Sequence, residues 1–204
     1  GVFSMDGDCA DLNKISQITS QLNSCCMVDD AHGFGVLGAT GAGLIEQCGL
    51  SQQQVPILMA TLGKAIGTSG AFVAGSDALI ETLIQQARPY IYTTSSPPAI
   101  AAATICSLNI VKRDNWRREK LEELIAYFQQ RMKHTKFELM PSATAIQPIM
   151  IGGNNHALSL SEKLLQSGIQ VTAIRPPTVP AGSARLRITL SALHEKADID
   201  QLIK

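Results

Sequence analysis

The chain predicts an α/β fold, and three observations carry that reading. Short apolar runs such as Cys25–Val28 and Ile57–Thr61 have the length and composition of buried strands. They alternate with stretches whose apolar residues recur at helical spacing, and strand–helix repetition of this kind implies a mostly parallel sheet with helices on both faces. Beyond about residue 106 the character changes to a long amphipathic helix followed by alternating strands, which reads as a small α+β domain. The expected division is therefore 1–106 and 107–204, with Lys112-Arg-Asp-Asn115 marking the junction.

In the first part, 11–21 carries Leu12, Ile15 and Ile18 on one helical face, with Leu22 just beyond. The strand 25–28 follows, then a short helix at 43–48 and a strand at 57–61. A further strand is expected at 70–74, and a helix at 77–87 that Pro89 closes. The long helix 97–111 starts on prolines, which suit a first turn.

In the second part, 115–134 is an amphipathic helix whose stripe Leu121, Leu124, Ile125, Phe128 and Met132 is core. A strand at 146–151 and a helix at 156–166, stopped at Gly168, come next. Strands at 171–174 and 185–190 precede a final helix at 195–203. In 185–190 the alternation is strict: Leu186, Ile188 and Leu190 face one way, while Arg185, Arg187 and Thr189 face a wet side.

Composition narrows the function classes. Seventeen basic and seventeen acidic residues give no net field, so nothing points to nucleic acid or an anionic membrane. The longest apolar stretch, around 99–106, is far short of a membrane span. Cys9, Cys25, Cys26, Cys48 and Cys106 show neither zinc spacing nor an even disulfide framework, so a reducing cytoplasm is expected and no metal.

Lys64 carries the chemistry. It follows the 57–61 strand and stands in a collar of small residues, Gly63, Ala65, Gly67, Ser69, Gly70 and Ala71. A surface lysine needs no such collar. A lysine that forms an imine with a bulky planar aldehyde does, because the backbone must let the ring approach closely. Thr61 and Ser69 add hydroxyls within reach of a phosphate, and the pattern reads as a pyridoxal-phosphate (PLP) lysine. A Walker loop is excluded, because Leu58 occupies the place of its first glycine and Ala65 follows the lysine.

Asp29 and His32 end the earlier strand, where ligands gather beyond the carboxyl ends of an open α/β sheet. A carboxylate beside the pyridine nitrogen keeps that ring protonated, and a histidine three residues on can hydrogen-bond its phenolic oxygen. The bland alternative for Asp29-Asp30 is a strand-end turn or helix cap. Gly33-Phe-Gly-Val-Leu-Gly38 matches a dinucleotide fingerprint formally. The glycine run continues through Thr40-Gly-Ala-Gly43 and no acid lies at 50–60, so it reads as an active-site loop.

Val28-Asp-Asp-Ala-His-Gly-Phe-Gly-Val-Leu-Gly38, Thr61-Leu-Gly-Lys64 and Ala184-Arg-Leu-Arg-Ile-Thr189 together resemble the α-oxoamine synthases, along the whole of the chain. These are fold-type-I PLP enzymes that condense an amino acid with an acyl thioester and release carbon dioxide. Tyr92-Thr-Thr-Ser-Ser-Pro-Pro98 and Val171–Gly182 resemble the branch that serves biotin synthesis, joining L-alanine to a pimeloyl thioester carried by coenzyme A or a carrier protein. Glycine-using sister synthases and non-catalytic relatives are the alternatives; loss of the lysine would mark the latter, and Lys64 is present.

The resemblance implies roles residue by residue. Lys64, Asp29 and His32 are catalytic, with Ser4 and Thr61 further contacts to PLP. Arg187 binds the substrate carboxylate and Thr178 also touches substrate. One of Thr93, Thr94 and Ser95 reaches a cofactor phosphate across a homodimer interface. The chain opens at Gly1-Val-Phe-Ser-Met-Asp-Gly-Asp8, which resembles the middle of the family's large domain. The expectation is a piece of a longer chain, with the first half of the sheet lying outside it. Phe34 and the long Leu50–Val55 connection depart from the family's pattern beside the motifs, not in them.

Overall fold

A computed structural model describes residues 1–204. The chain forms two compact units, one of Gly1–Val2 and Ala10–Asn115, the other of Phe3–Cys9 and Trp116–Lys204. The sequence expectation placed the division after residue 106. That point falls inside an unbroken helix, and the chain divides instead after Asn115.

The first unit runs α1 (Leu12–Gln21), β1 (Met27–Asp29), α2 (Leu44–Gln47), β2 (Ile57–Thr61), β3 (Ala71–Ala74), α3 (Asp77–Gln86), α4 (Arg88–Ile91) and α5 (Pro98–Arg113). Asp11 caps α1 by accepting the Lys14 N–H, and Ser76 caps α3 through the Leu79 N–H. The sheet order is β1-β2-β3. β1 pairs parallel with β2, because a long connection containing α2 separates them. β3 returns antiparallel, since the nine residues 62–70 are too few for a parallel crossover.

Leu12, Cys26, Val28, Leu44 and Val55 form the core that seats α1 and α2 on β1. Pro89 does not close α3. It lies in the first turn of α4, where its missing N–H costs nothing and its fixed φ favours a new helical turn.

The second unit contains α6 (Trp116–Met132), β4 (Glu138–Leu139), β5 (Ile146–Gly152), α7 (Asn154–Gln166), β6 (Thr172–Ile174), β7 (Ala184–Thr189) and α8 (Lys196–Ile203). Its sheet is antiparallel, in the order β4-β5-β7-β6. The expected stripe of α6 is buried at all five positions, Leu121, Leu124, Ile125, Phe128 and Met132. Gly168 ends α7 at φ +80°, with the Ile169 N–H turned back to the Leu164 carbonyl. Glu195 and Asp198 form a reciprocal capping box on α8. The two-residue β4 is an element that periodicity does not reveal.

β7 corrects one expectation. As a central strand between β5 and β6 it has no wet face at its start: Ala184, Arg185 and Leu186 are all buried. No helix of the chain is long and apolar enough to cross a membrane.

Candidate active site

The parallel pairing of β1 and β2 sets the site in the first unit. Asp29 is the register partner of Met59, so both strands end at the same edge of the sheet. Asp29 is exposed there, and its Oδ1 accepts the Ala31 N–H at 2.9 Å. His32 follows in the same turn, half-buried. The Lys64 loop leaves the same edge two residues beyond Met59's neighbour Ala60, which is fully buried. Asp29, His32, Thr61 and Lys64 thus come from two adjacent strand ends, where ligands of an open α/β sheet collect.

The lysine loop is braced by hydrogen bonds on every side. The Leu62 N–H donates to the Gly70 carbonyl at 2.8 Å and the Thr68 N–H returns to the Leu62 carbonyl at 2.9 Å. Thr61 Oγ1 donates to Gly70 O at 3.1 Å and accepts the Gly63 N–H at 3.3 Å. Ser107 of α5 donates to Ile66 O at 2.6 Å, and Thr104 Oγ1 lies 3.0 Å from Thr68 Oγ1. Ile66 is buried while Lys64 is exposed, so the loop is pinned by its apolar residue and presents its amine. Gly67 and Gly70 have φ of +69° and +103°, a conformation that favours glycine.

Asp30 occupies the next position after Asp29 and is fully buried. Its Oδ2 accepts the Leu44 N–H at 2.6 Å, and burial pushes its carboxyl above the usual aspartate range.

The second unit holds the other expected residues. Arg185 is spent on structure: it forms an ion pair with Asp6 and its Nε donates to Ser183 O at 3.1 Å. Arg187, one turn of the pleat further, has a buried Nε with no hydrogen-bond partner. Thr178 is exposed in the turn after β6, with its N–H donated to Arg175 O at 3.1 Å. Ser4 lies in the turn closed by the Gly7 N–H on Phe3 O at 2.9 Å. The candidates 93–95 are exposed and irregular, between α4 and α5.

Sequence reasoning therefore missed two sets of residues. The sequence reads Asp30 only as half of a strand-end turn, and the glycines that crowd its side chain, Gly33 and Gly43, lie three and thirteen positions on. Thr104 and Ser107 sit three apart on one face of α5, a spacing visible in the sequence but without meaning until the lysine loop lies beside it.

The family description "aminotransferase class I and II" matches residues 1–204. The 8-amino-7-oxononanoate synthase of Pseudomonas savastanoi pv. phaseolicola is 60% identical over 204 residues, covering 100% of this chain and 52% of that protein. The solved 8-amino-7-oxononanoate synthase of Francisella tularensis superposes with a TM-score of 0.89 at 35% identity, over 100% of this chain and 59% of that one. A serine palmitoyltransferase from S. paucimobilis with bound PLP–myriocin aldimine gives a TM-score of 0.92 at 31% identity, over 100% and 51%. The chain spans about half the length of the curated relatives it matches.

Proposed function

The chain belongs to the aminotransferase class I and II family, and from that premise we propose that it is part of a PLP-dependent 8-amino-7-oxononanoate synthase. The reaction joins L-alanine to a pimeloyl thioester and releases the thiol and carbon dioxide. The observation that carries the proposal is the shared edge of β1 and β2, which presents an exposed lysine and a carboxylate from neighbouring strand ends. The relatives' names supply the choice among reactions.

The residues fit the group. Lys64 is exposed on a loop braced by other side chains, so its amine is available for covalent attachment. The buried Nε of Arg187 lacks an acceptor, which is what a substrate carboxylate supplies. Bound PLP would furnish an electron sink for negative charge on the substrate's α-carbon.

Within that chemistry the side chains divide the work. Lys64 would hold PLP through its amine and, when that amine is free, would serve as the base for the substrate's α-proton. Asp29 would favour a protonated pyridine nitrogen, and His32 would hydrogen-bond the phenolic oxygen. Thr61 and Ser4 contact the cofactor. Arg187 grips the carboxylate as a fork, with Thr178 on the substrate side. Small-molecule substrates are the partners in this reading. A cytoplasmic homodimer is part of the proposal; Tyr92, 82% exposed, begins the segment that would meet the second subunit.

The test is turnover by the full-length protein with PLP. L-Alanine and a pimeloyl thioester should yield carbon dioxide and free thiol in equal amounts. A preference for glycine with an acetyl or succinyl donor would move the protein to a sister synthase and leave the PLP site standing.

A further inference from the structure

Asp30 makes an unusual set of contacts for a residue next to a proposed cofactor carboxylate. Its N–H donates to Met59 O at 2.8 Å, extending the β1–β2 pairing by one residue. Its carbonyl accepts the N–H groups of Gly33 at 3.0 Å and Phe34 at 2.9 Å, which closes the turn containing His32. Its carboxylate then reaches across the loop to the Leu44 N–H at 2.6 Å, the start of α2. One residue therefore ties both ends of the 31–43 loop to the second strand.

The loop is built around that carboxylate. A Cβ placed on Gly33 or on Gly43 would overlap the Asp30 side chain, and so would one on Gly1. Gly33 has no positive φ that would demand glycine, so the carboxylate alone explains its lack of a side chain. Oδ1 is buried with no donor on it, an arrangement that costs stability. The rest of the loop is self-bonded, with Gly35 N–H on Gly41 O at 2.8 Å and Gly43 N–H on Leu37 O at 2.9 Å. Glu46 takes the Thr40 and Ala42 N–H groups at 3.1 and 3.0 Å. Asp30 ties this unit to the strand ends at both of its ends, beside the Ala31 N–H on Asp29 Oδ1 and the edge-on contact of Phe34 with Phe72.

We propose that Asp30 is a positioning residue, a buried carboxylate seated between Gly33 and Gly43 that locks the 31–43 loop and so fixes the His32 ring and the Asp29 carboxylate for the cofactor. The lock stands on the loop's own contacts; its effect on PLP rests on the proposed function.

Two measurements on the full-length protein test it. In amide exchange, Asp30→Ala should accelerate Leu44, Gly35 and Gly43 at least about tenfold over exchange elsewhere in β2, while Asp30→Asn, whose amide oxygen still accepts, should restore most of the protection. In thermal unfolding, Gly33→Ala should lower the Tm of the wild type but change it little in the Asp30→Ala background, because the overlapping side chain is gone. Additive Tm changes, or unaltered exchange at Leu44 and Gly35, would overturn the lock. If Asp30→Ala does not fold, Gly33→Ala alone carries the test: crowding the carboxylate should accelerate exchange at Leu44, Gly35 and Gly43, and unaltered exchange there would overturn the lock.

The consequence for the site is read in the cofactor spectrum and in kinetics. The pH midpoint of the bound cofactor's visible absorbance should shift in Asp30→Ala, and kcat should fall more than KM for L-alanine rises. A loosened loop with an unmoved midpoint would overturn the positioning role. A wild type with no visible cofactor band would sink the PLP reading instead, and the exchange result would stand by itself.

Discussion

Ser107 donates its hydroxyl to the carbonyl of Ile66 at 2.6 Å, two residues past Lys64. One helical turn earlier Thr104 reaches Thr68 at 3.0 Å. α5 thus holds the lysine loop at two points from one face, and neither contact involves the lysine. The loop's rigidity and the lysine's freedom are separate properties, set by different residues.

Ser107→Ala should cost about 0.5–1.5 kcal/mol of stability for the lost hydrogen bond. Ser107→Ala/Thr104→Val should cost more and should raise amide exchange across 62–68. Denaturant unfolding together with exchange mass spectrometry reads both effects. A stable double variant with unchanged exchange would show that the loop is held by its own backbone.

Lys64→Ala should remove covalent cofactor attachment in the full-length protein with PLP, and turnover with it. No other lysine follows the carboxyl end of a strand: Lys14, Lys112, Lys120, Lys163 and Lys196 lie within helices, Lys133 and Lys136 between α6 and β4, and Lys204 after α8. Borohydride reduction followed by peptide mapping identifies the labelled residue. A label on any other lysine would redirect the whole assignment.

Asp29→Asn should leave PLP attached while slowing turnover on the order of a hundredfold or more, because the ring nitrogen loses its counter-charge. The comparison to make is single-turnover kinetics beside the absorbance of attached cofactor. Near-normal rates would place the nitrogen's partner elsewhere.

The two arginines of β7 should respond differently. Arg187→Ala should weaken L-alanine and glycine alike with little change in Tm, since both share the carboxylate. Arg185→Ala should instead destabilise the fold, by less than the roughly 3–5 kcal/mol of a fully buried broken pair, because the Asp6 side chain is 33% exposed. Paired Tm and KM measurements on the two variants separate the roles; interchanged behaviour would reverse them.

Asp30 should leave a pH signature. Burial raises its folded carboxyl above the ordinary value of 3.8. Between 3.8 and the raised value the folded chain binds more protons than the unfolded one, so stability falls as pH rises through that window. Relative to Asp30→Asn, the wild type should therefore gain stability on acidification toward 3.8 and none below it. Denaturant midpoints of both proteins across that range check the sign, and a parallel pH dependence would refute it.

The sequence by itself determined the features that depend on local spacing. The α6 stripe, the 57–61 strand and the glycine stop of α7 follow from periodicity and backbone preference over a few residues, and each is where the spacing places it. The PLP-lysine expectation has the same local basis, a collar of small residues after an apolar run. Tertiary structure decided between chemically identical neighbours. Asp29 and Asp30 differ because the pleat turns one outward and the other into the loop's interior. Arg185 and Arg187 share a strand face, and Asp6, 179 positions away in the chain, distinguishes them by neutralising one. No local pattern carries that information, because the energy of a buried charge depends on which partner the fold brings to it.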